Sequence, residues 1–99
     1  MAGTSDLSGR SAIVTGAGSG IGAAIAHRLV NLGARVILAD IDAERAGVVA
    51  EACVGPGSAT AARLDVSDAE AVKELVAKVA ADHGSVDMLF NNAGIGGGR

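Results

Sequence analysis

The run Thr15-Gly16-Ala17-Gly18-Ser19-Gly20-Ile21-Gly22 places four glycines in the seven positions from Gly16 to Gly22. Glycines at this density can cradle an anion. A dinucleotide pyrophosphate needs a tight turn without obstructing side chains, free backbone N–H groups and the positive end of a helix dipole. Gly16 supplies the turn, Gly18 and Gly20 let the backbone approach phosphate, and Gly22 lets a following helix lie close to the preceding strand. Eighteen residues beyond Gly22 stands Asp40. A carboxylate there accepts hydrogen bonds from both adenosine ribose hydroxyls and repels the extra phosphate of NADP. Neither position 19 nor position 41 carries Arg or Lys, so NAD is the expected cofactor and NADP is disfavoured. A glycine-rich run is an ordinary loop unless it joins a strand to a helix, and no lysine follows it as in a nucleoside-triphosphate loop.

The flanking segments meet that condition. Ser11 to Thr15 is short, apolar and bounded by Gly9 and Gly16, which predicts a buried strand. From Gly20 the residues Ile21, Ile25, Leu29 and Leu32 form a helical stripe that ends at Gly33. A second strand is expected over Arg35 to Ala39. Asp42 can cap a helix whose apolar side carries Ala46, Val49, Ala50 and Cys53, stopped by Gly55-Pro56-Gly57. A weaker third strand spans Ala59 to Leu64. Ser67 and Glu70 have capping-box spacing ahead of a helix with Val72, Leu75, Val76 and Val79 on one face, a Glu74–Lys78 pair on the wet side and Gly84 at its end. The fourth strand runs from Val86 to Phe90. The order β-α-β-α-β-α-β with right-handed crossovers gives an α/β, Rossmann-like parallel sheet of strand order 3-2-1-4, with ligands at the carboxyl ends of the strands.

With 99 residues the chain makes one small domain, with residues 1–8 expected as a flexible leader and 95–99 as a flexible tail. Eight Lys and Arg are scattered among eleven acids for a net charge of -3, which offers no basic face to nucleic acid or anionic membranes. No apolar run approaches the roughly 20 residues of a membrane span, and residues 1–10 lack a signal-peptide pattern. Cys53 is the single cysteine, which fits a reducing, cytoplasmic compartment. His27 and His83 have no metal partner at ligand spacing, so no metal site is expected.

Thr15 to Gly22 resembles the Thr-Gly-x-x-x-Gly-x-Gly cofactor motif of the short-chain dehydrogenase/reductase family. Asp65-Val66 resembles that family's adenine-contacting pair, and Asn91-Asn92-Ala93-Gly94 its Asn-Asn-Ala-Gly motif. With Asp40 these fall in the family's order over residues 7 to about 95. The resemblance implies an oxidoreductase that moves a hydride between NAD(H) and an alcohol or carbonyl carbon. It implies that Gly16, Ser19, Gly20, Ile21 and Gly22 hold the pyrophosphate, Ile21 through its N–H. Asp40 would hold the ribose, with Ile41 beside the adenine. Asp65 would accept from the adenine amino group while Val66 packs on the ring or uses its backbone. Asn91, Ala93 and Gly94 would shape the fourth strand's end, and Ile95 would approach the nicotinamide. Two alternatives stay open: Asp65 as a loop acid before Ser67, and Asn91 and Asn92 as scaffolding amides.

The family's acid/base is a Tyr-x-x-x-Lys pair beyond the fourth strand, and the chain contains no tyrosine. No catalytic residue is therefore expected within it, and the sheet is expected to be incomplete after the fourth strand, leaving an edge and an open face suited to self-association. The competing expectation is a non-catalytic dinucleotide-binding or assembly module.

Overall fold

Small and branched aliphatic residues fill the first two strands with little interruption, so these are apolar on both faces and must be covered on both. In the computed structural model, which describes residues 6–92, the elements are β1 (Ser11–Thr15), α1 (Gly20–Asn31), β2 (Arg35–Asp40), α2 (Ala43–Ala52), β3 (Ser58–Arg63), α3 (Ala69–His83) and β4 (Met88–Asn91). The strands are parallel and lie in the order β3-β2-β1-β4. Ile13 sits beside Ile37 and Leu89 in register, and Thr15 beside Ala39 and Asn91.

Alternate residues of a strand face opposite sides of a sheet, and two cores follow. Ala12, Val14, Val36 and Leu38 pack with Ala26, Leu29 and Val30 of α1 and Ala46 of α2. On the other side Ile13, Ile37 and Ala39 meet Val79 of α3, with Val72, Leu75 and Val76 packed alongside. β1, paired on both edges, is buried at all five positions.

Several elements depart from the sequence expectation. β3 starts and ends one residue earlier than Ala59 to Leu64, and β4 begins at Met88 rather than Val86 and extends to Asn91. The buried line of α1 is Gly22, Ala26, Leu29 and Val30, while Ile21 is 64% exposed. Close approach decides this: a helix laid tightly on a sheet turns its smallest residues inward, here at i, i+4 and i+8. Ser67 does not cap α3. Its N–H and hydroxyl both donate to Asp65 Oδ1, at 2.9 and 2.6 Å, and Asp68 becomes the cap, accepting the Ala71 N–H at 3.1 Å. Lys78 pairs with Asp82 at 3.3 Å rather than with Glu74, an exposed contact of little energetic weight. Asp42 caps α2 as expected, accepting the Arg45 N–H, and Gly84 ends α3.

Residues 1–5 and 93–99 lie outside the described residues. The end of the expected leader is tied down, since the Leu7 N–H donates to Leu32 at 2.7 Å and Leu7 packs against the first core. At the amino end of the sheet, the Ser11 N–H donates to Asp87 Oδ2 and the Asp87 N–H returns to the Ser11 carbonyl, at 2.8 and 2.9 Å. His83 Nδ1 lies 3.2 Å from Ser11 Oγ, which gives this side chain a bonded position beyond its place near the end of α3.

Candidate cofactor-binding site

The glycine run forms the turn from β1 into α1 at the carboxyl end of the sheet. Gly16 and Gly20 have φ of 64° and 60°, the left-handed region that favours glycine. The Ala17 N–H donates to the Ala39 carbonyl at 3.2 Å, tying the turn to the end of β2. A Cβ on Gly22 would overlap the Gly16 carbonyl oxygen, so only glycine lets α1 start this close to β1. Ser19 is the N-cap of α1, but its exposed side chain makes no capping hydrogen bond, and the first turn holds no acid. The first N–H groups of a helix have no partner within it, and nothing lies within 4 Å of where a Gly20 Cβ would stand. A bare, positively polarised helix end with open space over its glycine fits a pyrophosphate.

Asp40 ends β2 beside this turn. Its Oδ2 accepts the Gly18 N–H at 2.8 Å and its Oδ1 accepts the Asp42 N–H at 2.9 Å. The Gly18 N–H therefore points at Asp40, and a Cβ on Gly18 would come 2.8 Å from that carboxylate. Two backbone donors aim the carboxylate, and its remaining lone pairs can take ribose hydroxyls.

The next strand end carries Asp65, and the Leu64 N–H bonds to the Asp40 carbonyl at 3.0 Å, which brings the two aspartates' strands together. The Ser67 hydroxyl, then the Ser67 N–H and the nearby Arg63 charge, hold the Asp65 carboxyl below its usual range against a small opposing effect of burial. With Oδ1 engaged by Ser67, Oδ2 has no hydrogen-bond partner among the described residues and remains for a donor such as an adenine amine. Ile41 and Val66 are exposed apolar side chains following the β2 and β3 ends, 58% and 38% accessible.

Asn91 closes β4 beside Thr15. Its Oδ1 accepts the Thr15 hydroxyl at 3.2 Å, and that hydroxyl also lies 3.3 Å from the Phe90 carbonyl. Asn92 Nδ2 donates to the Gly16 carbonyl at 3.4 Å. The two amides thus brace the glycine turn, a role the motif alone left undivided from ligand contact. A cleft of about 510 Å³ opens here between Thr15, Val66, Val72, Lys73, Leu89 and Asn91. Ala93, Gly94 and Ile95 lie outside the described residues. Among the described residues no group of three His, Cys, Asp or Glu could hold a metal ion, and no helix is long and apolar enough to cross a membrane.

A parallel sheet with a glycine turn at the start of its first helix, and acids at the next two strand ends, defines a dinucleotide-binding α/β domain. The sequence matches the short chain dehydrogenase family over residues 10–99, and the chain belongs to that family. It is 50% identical over 91 residues to a 2,5-dichloro-2,5-cyclohexadiene-1,4-diol dehydrogenase of Sphingobium indicum, covering 92% of this chain and 36% of that protein. It is 43% identical over 90 residues to a (+)-cis,cis-nepetalactol synthase of Nepeta racemosa, covering 90% and 33%. Among solved structures, a hydroxysteroid dehydrogenase from Escherichia coli superposes with a TM-score of 0.83 at 39% identity, over 91% of this chain and 37% of that one. A metagenomic short-chain oxidoreductase in complex with NADP gives 0.79 at 44% identity, over 84% and 38%. The chain spans about a third of the length of the curated relatives it matches. It corresponds to the cofactor-binding region of this nicotinamide-dinucleotide family.

Proposed function

We propose that this chain binds NAD, as the cofactor-binding portion of an oxidoreductase that moves a hydride between NAD(H) and an alcohol or carbonyl carbon. The preference for NAD is carried by the Asp40 carboxylate, held beside the glycine turn by the Gly18 and Asp42 N–H groups. Gly16, Ser19, Gly20, Ile21 and Gly22 take the pyrophosphate, Asp40 the ribose, and Ile41, Asp65 and Val66 the adenine. Asn91, with Ala93 and Gly94 beyond it, shapes the floor toward the nicotinamide. The cofactor supplies the hydride, and the acid/base that serves the substrate oxygen is not among these residues, since the chain has no tyrosine.

Calorimetric titration with both dinucleotides tests this reading, and the NADP-bound relative makes the comparison necessary. NAD is expected to bind more tightly, and Asp40→Asn is expected to weaken NAD by roughly 10- to 100-fold, the worth of hydrogen bonds to a charged group. Equal affinity for NAD and NADP in the unaltered chain would sink the preference, and binding of neither would sink the whole reading. The proposed assembly is a self-associating chain. Among the described residues β4 pairs on one side only, and Leu89 on it is 53% exposed.

A further inference from the structure

We infer that the cleft between α3 and β4 seats the outer ridge of α2 from a second copy of this chain; the inference rests on the self-association proposed above and gives it a geometry. Among the exposed large apolar side chains, Ile21, Ile41 and Val66 belong to the cofactor site as read above, whereas Val48, Val54 and Leu89 do not. Leu89 lines the cleft of about 510 Å³ together with Val72, Lys73 and Asn91. Val48 stands on α2 with 69% of its surface exposed. In water it contributes nothing to a helix, whose best formers are unbranched, and burying it against another apolar surface is favourable.

The charges match as well as the apolar surfaces. α2 turns Ala46, Val49, Ala50 and Cys53 toward the first core. At about 3.6 residues per turn, Glu44, Val48 and Glu51 then share the opposite face, an acid on either side of the valine, and all three are exposed. Neither acid has an ion pair among the described residues. The cleft supplies the complement. No acid lines it among the described residues, and neither the Lys73 ammonium nor Asn91 Nδ2 has a hydrogen-bond or ion-pair partner there. An apolar floor flanked by donors alone is complementary to an apolar ridge flanked by carboxylates. A pairing of two β4 edges, by contrast, leaves Val48 in water. α2 covers one face of the sheet and α3 the other, so ridge and cleft are separate surfaces. The contact runs head to tail, and each pair of copies keeps one free ridge and one free cleft.

Sedimentation velocity on the purified chain and its variants tests this, with circular dichroism melts to verify that each variant is folded. Val48→Lys blocks the ridge and Leu89→Lys blocks the cleft. Each is expected to weaken self-association by about tenfold or more, the effect of one aliphatic side chain no longer buried. Mixed together, the two variants are expected to form a one-to-one dimer and nothing larger, because one keeps a working cleft and the other a working ridge. A second arm leaves the apolar contact untouched. Lys73→Glu is expected to weaken association about two- to fivefold, as for an exposed charge pair, and replacing both ridge acids in the same chain, Glu44→Lys with Glu51→Lys, is expected to restore it. A Val48→Lys chain that associated like the parent, a mixture that stayed monomeric, or a charge exchange without rescue would overturn the head-to-tail contact while leaving self-association intact. A parent chain monomeric at every concentration would remove self-association, and this inference with it.

Discussion

Asp40 and Asp65 occupy neighbouring strand ends but are held by different donors, and their responses to change should differ accordingly. Asp40 is aimed by two backbone N–H groups, whereas one oxygen of Asp65 depends on the Ser67 hydroxyl as well as its N–H. Ser67→Ala is expected to raise the Asp65 pKa toward its ordinary 3.8, which carboxyl NMR titration would follow. Because the folded value is depressed, the ionised Asp65 contributes stability above its unfolded pKa and loses it as pH falls through the folded one. The variant should therefore lose that acid-range dependence, and an unchanged titration curve would show that Ser67 is not the cause. The spacing from Gly22 marked Asp40 in the sequence. The direction of the Gly18 N–H was hidden, since glycine spacing shows where backbone is accessible but not where a donor points.

Helix ends test the same distinction between pattern and geometry. Ser67 and Glu70 satisfy capping-box spacing, yet Asp65 takes the serine hydroxyl and N–H and leaves Asp68 to start α3. Asp68→Ala should cost about 1 kcal/mol in urea unfolding, the usual worth of an N-cap, and Ser67→Ala measurably less; the reverse ranking would restore the serine as cap. In α1 the periodicity of the large residues selected Ile21, Ile25, Leu29 and Leu32, but the contact line runs through Gly22, Ala26 and Val30, with Leu29 beside it. Bulk is what a hydrophobic pattern weighs, while a helix seated tightly on a sheet selects smallness. Gly22→Ala drives a methyl group into the Gly16 carbonyl and is expected to cost roughly 1–3 kcal/mol of stability, an overpacking penalty, while also weakening NAD. A variant as stable as the parent would show that the turn yields. Strand order, by contrast, was legible, because handed crossovers admit few alternatives once β1 to β4 are recognised.

Across the whole molecule, the two cores close around β1 and β2, while Leu89 on β4 is 53% exposed. Sedimentation velocity is expected to show concentration-dependent association that Leu89→Lys reduces; a monomer at every concentration would remove the assembly proposal. With no tyrosine in the sequence, the chain alone is expected to reduce no ketone with NADH above the rate without protein, and turnover would overturn that expectation. The clasp between Ser11 and Asp87 bears on a different matter, the order in which the sheet is completed. It joins residues 76 apart, so β1 waits for β4. At ordinary synthesis rates, roughly 4–15 s separate the appearance of β1 from that of β4. Ser11 faces β4, and by strand alternation Ile13 and Thr15 turn their amides the same way while Ala12 and Val14 turn theirs to β2. In pulse-labelled refolding, Ala12 and Val14 are accordingly expected to gain hydrogen-exchange protection before Ile13 and Thr15; simultaneous protection would show that the sheet closes in one step. The central strand of this fold is, during its synthesis, an edge open to any passing chain.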